Sequence, residues 1–116
     1  MSPTNNGVSL EEVHDSYQNA YIFLTSAYWA ASTIENKDRI HGVMDVVFDL
    51  LTDLNRETLV ADSDDFTALA SELQSANAEL TSLKNQIAQL IAAVKVATEV
   101  ASAIDLAIAL AAKYFK

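Results

Sequence analysis

The stretch LASELQSANAELTSLKNQIAQLIAAVKVATEVASAIDLAIALAAKYF, residues 69–115, decides how this chain is read. Apolar side chains recur in it every three and four positions: Leu69, Leu73, Ala76, Leu80, Leu83, Ile87, Leu90, Val94, Ala97, Ala101, Ile104, Ile108, Ala111 and Phe115. A mean spacing of 3.5 keeps one stripe of a helix facing a partner helix, the pattern of coiled-coil packing. No Gly or Pro falls between residues 66 and 116, so the spacing predicts one helix over about 64–115, on the order of 75 Å long. Its two halves differ. Up to Leu90 only the stripe is apolar; beyond it Ile91, Val96, Val100, Ala103, Leu106 and Leu110 add apolar surface off the stripe. A helix apolar nearly all round demands burial on several sides, so these six residues are the expected self-association surface.

Working towards the N-terminus, Ala61-Asp-Ser-Asp-Asp65 is a connector in which Ser63 or Asp64 can cap the following helix. A second stripe, Ile40, Val43, Val47, Leu50 and Leu54, predicts a helix over about 38–60. A third, Leu10, Val13, Tyr17, Ala20, Leu24, Ala27, Ala31 and Ile34, predicts one over about 9–35. Ser9 and Glu12 have the spacing of a capping box at its start. The phase changes between these two stripes, and Glu35-Asn-Lys-Asp38 is the expected turn or kink, with Gly42 a second weak point. Residues 1–8 read as a disordered lead-in, leaving 9–116 as a single helical domain.

The fold expected is all-α, in one of two forms. In the favoured form residues 9–60 make a kinked rod that folds back on the last helix as a long antiparallel hairpin, placing residue 10 near 114 and residue 34 near 90. Reversal near Asn36 gives a three-helix coiled-coil bundle instead. Self-association is expected in both; a second copy of the favoured hairpin completes a four-helix bundle, and a homodimer is the oligomer favoured.

The chain has 116 residues and a net charge of −9, all of it carried by residues 1–65. Such a surface repels phosphate backbones, so no nucleic acid is expected as a partner. There is no cysteine, which removes disulfides and thiol chemistry. The first residues carry neither a basic cluster nor an apolar run, so the default expectation is a soluble, cytoplasmic protein.

Candidate chemistry is sparse. Asp45, Asp49, Asp53 and Glu57 step by four and stack on one helix surface opposite the apolar stripe, with Asp38 in line. Like charges at that spacing oppose each other by a few tenths of a kcal/mol per pair. They read as a solvated face or as a docking face for a basic protein partner. Glu11 with His14, and Asp38 with His41, have the i, i+3 spacing found in carboxylate-bridged metal bundles, yet the two pairs are too far apart to converge. Residues 62–73 lack the Gly and Glu that a calcium loop needs at its sixth and twelfth positions. No phosphate loop or nucleophile elbow is present. Neither a metal nor a cofactor is expected, and no catalysis. Residues 87–112 have the length of a membrane span, but Lys95, Glu99 and Asp105 each cost about 2.5–3.5 kcal/mol at mid-bilayer.

These features lead to the expectation of a non-enzymatic protein-binding helical bundle, an inhibitor or immunity-type protein with an acidic face. The alternatives are a membrane-active helical protein, such as a subunit of a pore, and a structural coiled-coil adaptor.

Overall fold

The computed structural model describes residues 4–55, 59–60 and 63–115. Four helices follow a short β-hairpin: α1 over Leu10–Ala30, α2 over Ile34–Leu54, α3 over Asp64–Leu90 and α4 over Val94–Tyr114. Each packs against its neighbours in sequence, and α4 closes the ring by packing on α1, the most extensive of the helix contacts. The result is an up-down-up-down bundle 43 Å long and about 20 Å across. All four helices come from one chain. The expected fourfold core is therefore completed without a second copy.

Except for Ile34, which opens α2 and is exposed, the stripes read from the sequence are the inward faces of α1, α2 and α3. Val13, Tyr17, Ala20, Leu24, Ile40, Val43, Val47, Leu80 and Leu83 have no measurable exposure. The caps are local and satisfy amides that a helix start leaves orphaned. Glu12 N donates to Ser9 Oγ at 3.0 Å while Ser9 N donates to Glu12 Oε1 at 3.2 Å, a complete capping box. Ser63 Oγ accepts from Phe66 N at 3.1 Å. Across the core, the Tyr17 hydroxyl donates to Asn77 Oδ1, joining α1 to α3. Burial pushes the ionisation of this phenol above its usual range, against the smaller opposing effect of that hydrogen bond.

Three expectations are corrected. The first is the long helix, which ends at Leu90: Ile91 is extended, with φ −134° and ψ 147°, and forms a β-bridge with Ala31. The chain then turns back through residues 91–93. Nothing in Leu90-Ile-Ala-Ala-Val94 breaks a helix by propensity. Burial does. Val100 and Ile104 become wholly buried once α4 folds back, worth about 1.5–3 kcal/mol each. The new helix start at Ala93 has no side-chain cap, a loss of only about 1 kcal/mol relative to a good capping residue. The break also resets the phase. α4 buries Ala97, Val100, Ile104, Ala107, Ala111 and Tyr114, so 100, 107 and 114 replace the expected 101, 108 and 115.

The second correction concerns the first reversal, which lies at residues 31–33 and not at 35–38. Thr33 caps α2 by accepting from Asn36 N at 3.1 Å, which makes Glu35 to Asp38 its first turn. Helices about 9–35, 38–60 and 64–115 thus become four shorter ones, and both the hairpin and the three-helix form give way. The favoured hairpin's pairing of α1 with the Ala-rich half of the last helix nevertheless holds, because α1 runs antiparallel to α4.

The third is the N-terminal lead-in. Thr4–Asn5 and Val8–Ser9 pair antiparallel around Asn6 and Gly7, whose φ values of 55° and 81° are those of a two-residue primed turn. Val8 is 2% exposed. It stands just before the Ser9 cap with Val13 four residues into the helix, the positions of a hydrophobic staple. Asn5 Nδ2 donates to Tyr114 O, and Asn6 Nδ2 to Lys113 O at 3.0 Å, so the hairpin covers carbonyls that the end of α4 leaves open.

Candidate interaction surface

The carboxylate stripe lies on the outside of α2. Asp45 and Asp49 are exposed and Asp53 is half-buried, while Glu57 falls outside the described residues. His41 Nδ1 stands 3.4 Å from Asp45 Oδ2. Between Asp45 and Asp49 the ring of Phe48 is 58% exposed and lies 6.3 Å, centroid to centroid, from Tyr21 on α1. One and two turns towards the loop end, His41 and Tyr28 pair at 6.0 Å. The α1–α2 face therefore alternates rings with carboxylates. The sequence pattern showed the acids; the rings interleaved from α1 become visible only once the antiparallel register is known.

At the α1–α2 corner, Lys37 Nζ lies 4.8 Å from the Tyr28 ring centroid and 5.3 Å from that of Trp29, and donates to Tyr28 O at 2.9 Å. The two rings meet edge to face at 5.2 Å. Here the protein packs one of its own ammonium groups on aromatic faces, an arrangement worth about 0.5–1 kcal/mol when exposed.

The six residues expected to drive self-association are divided by the fold. Ile91, Val100 and Ala103 are buried within one chain, Val96 and Leu110 are half-buried against its core, and Leu106 is 55% exposed. Their surplus hydrophobicity is used largely inside the molecule, where α4 meets α1 and α3. A shallow groove of about 400 Å³ remains where α3 ends and α4 begins, walled by Ile87, Ile91, Val94, Ala97 and Ala101 with Asp105 at its rim. Asp105 is occupied by Lys84, whose Nζ donates to its Oδ1 at 2.7 Å.

Among the described residues no three His, Asp or Glu side chains converge as a metal site. His14 instead lies 3.3 Å from its neighbour Asp15. Among the same residues no helix is long and apolar enough to cross a membrane, and the candidate span 87–112 is cut by the turn at 91–93. The chain matches no family model, no characterised protein and no solved structure.

Proposed function

We propose that this chain is a non-enzymatic, protein-binding four-helix bundle that meets a basic protein partner through the α1–α2 face, as an inhibitor or immunity-type protein would. The observation that carries this reading is the alternation of exposed carboxylates with aromatic rings. Asp45 and Asp49 flank Phe48, and Tyr21 backs it. A lysine or arginine side chain offers both things such a face selects for: a charge for the carboxylates and a cation to lie on a ring. An acidic surface also steers a basic partner and speeds its encounter.

The test compares wild type with Asp45→Asn/Asp49→Asn/Asp53→Asn, both immobilised, against proteins of high isoelectric point at several salt concentrations. Retention should fall at least tenfold in the triple variant and lose most of its salt dependence. Equal retention by the two forms at every salt concentration would sink the reading.

A further inference from the structure

The bundle is polar end to end. In described residues 20–44 and 77–104, the half nearer the two short turns, Glu35, Asp38, Glu79 and Glu99 are balanced by Lys37, Arg39, Lys84 and Lys95. In the other half ten acids face a single described base, Lys113. The neutral end is also apolar at its surface: Trp29, Ile34 and Val94 are 74%, 74% and 77% exposed. Trp29 is next to last in α1, and Ile34 and Val94 open α2 and α4, so the three surround the turns at 31–33 and 91–93. The core beneath is already closed by Ala31 and Ile91, both buried and joined by their bridge. Folding of the chain leaves these three large side chains without cover.

We infer that this end docks on a lipid surface, with Trp29, Ile34 and Val94 entering the boundary between headgroups and acyl chains. Charges of both signs accompany the apolar groups: Lys37 lies against the Trp29 ring, Lys95 follows Val94 and is exposed, and Glu35 follows Ile34. Tryptophan with a nearby ammonium suits that boundary, where one end of a side chain is dry and the other meets phosphate. The charge asymmetry sets the orientation. An anionic leaflet repels the acidic half and leaves only the turn end free to approach. The docking is shallow, since no described helix is long and apolar enough to cross.

Trp29 is the only tryptophan, so its fluorescence reports on this end alone. The full chain is titrated with vesicles of phosphatidylcholine and phosphatidylglycerol, and co-flotation is measured alongside. The expected result is a saturable blue shift of emission together with flotation. Ile34→Ser/Val94→Ser, whose changes are both at exposed positions and whose helicity is checked by circular dichroism, should bind the vesicles at least tenfold more weakly. The Asp45, Asp49 and Asp53 triple variant should bind them as well as wild type or better, which keeps this result separate from the fate of the protein-partner reading. An emission maximum indifferent to the vesicles overturns the inference, as does equal binding by the double variant. A blue shift that follows protein concentration without lipid, with a doubling of mass, assigns the end to a second copy and overturns it too.

Discussion

The two ends of the bundle are closed by different means. At the turn end, two three-residue reversals are held by a backbone bridge between Ala31 and Ile91 and by Asn36 Nδ2, which donates to Leu90 O at 3.1 Å. At the far end a β-hairpin lays Val8 over the core and gives two asparagine amides to the carbonyls ending α4. One end is neutral with bare apolar side chains; the other is acidic. The contrast teaches that closing a core and shaping a surface are separate problems. Both ends seal their helix termini; three large apolar side chains, Trp29, Ile34 and Val94, stay outside at one, and among the described residues of the other Val60 is 71% exposed.

Whether the ends share one cooperative core is tested by Ile91→Ala and Leu10→Ala, at residues 4% and 1% exposed on opposite ends. Each should cost about 2–5 kcal/mol in urea unfolding. If either loses less than 1 kcal/mol, that end frays independently of the rest. Alkali should act next, and on the far half, where Tyr17 and Tyr114 lie. Burial raises the ionisation of both phenols above the unfolded value near 10. Their contribution is thus intact below about pH 10 and is lost as pH rises beyond it, because the unfolded chain releases the protons first. Tyr17→Phe should flatten that decline in an unfolding series from pH 9 to 12.

Smaller effects compare the closures themselves. Gly7→Ala forces a side chain into a backbone with φ 81° and should cost about 1 kcal/mol. Asn36→Ala should cost a similar amount, about 1 kcal/mol, by leaving Leu90 O without its donor. Hydrogen exchange should show the loss at the hairpin in the first case and at the 91–93 turn in the second; exchange spread evenly over both ends would erase the distinction. The smallest effect belongs to Asp49→Asn. Removing the charge that stands four residues from both Asp45 and Asp53 should raise stability by a few tenths of a kcal/mol per pair at low salt, a gain that vanishes in 1 M salt.

Much of the fold was legible in the residues. The stripes of α1, α2 and α3, the Ser9–Glu12 box and the Ser63 cap depend on spacing and on hydrogen bonds three residues long, which a sequence states outright. The hairpin was not read, because residues 1–8 look disordered: Asn6-Gly7 is a strong two-residue turn signal, yet its strands are two residues each and too short to show alternation. Thr33, three residues before Asn36, was a cap hidden by an apolar stripe running on to Ile34, a residue that the fold leaves 74% exposed. As for the surface, the acids were visible, while Phe48 and Tyr21 are 27 positions apart and meet only through the pairing of α1 with α2.

The sequence by itself determined that the chain is helical, which face of each of the first three helices is buried, and that residues beyond 91 carry more apolar surface than one seam uses. Only the tertiary structure decided where the chain turns back. Residues 90–94 favour helix as strongly as their neighbours do, so local preference is silent there. What selects the break is the burial of Val100, Ile104, Ala107 and Tyr114 against the rest of the bundle, a gain that exists only once α1 is in place to receive them.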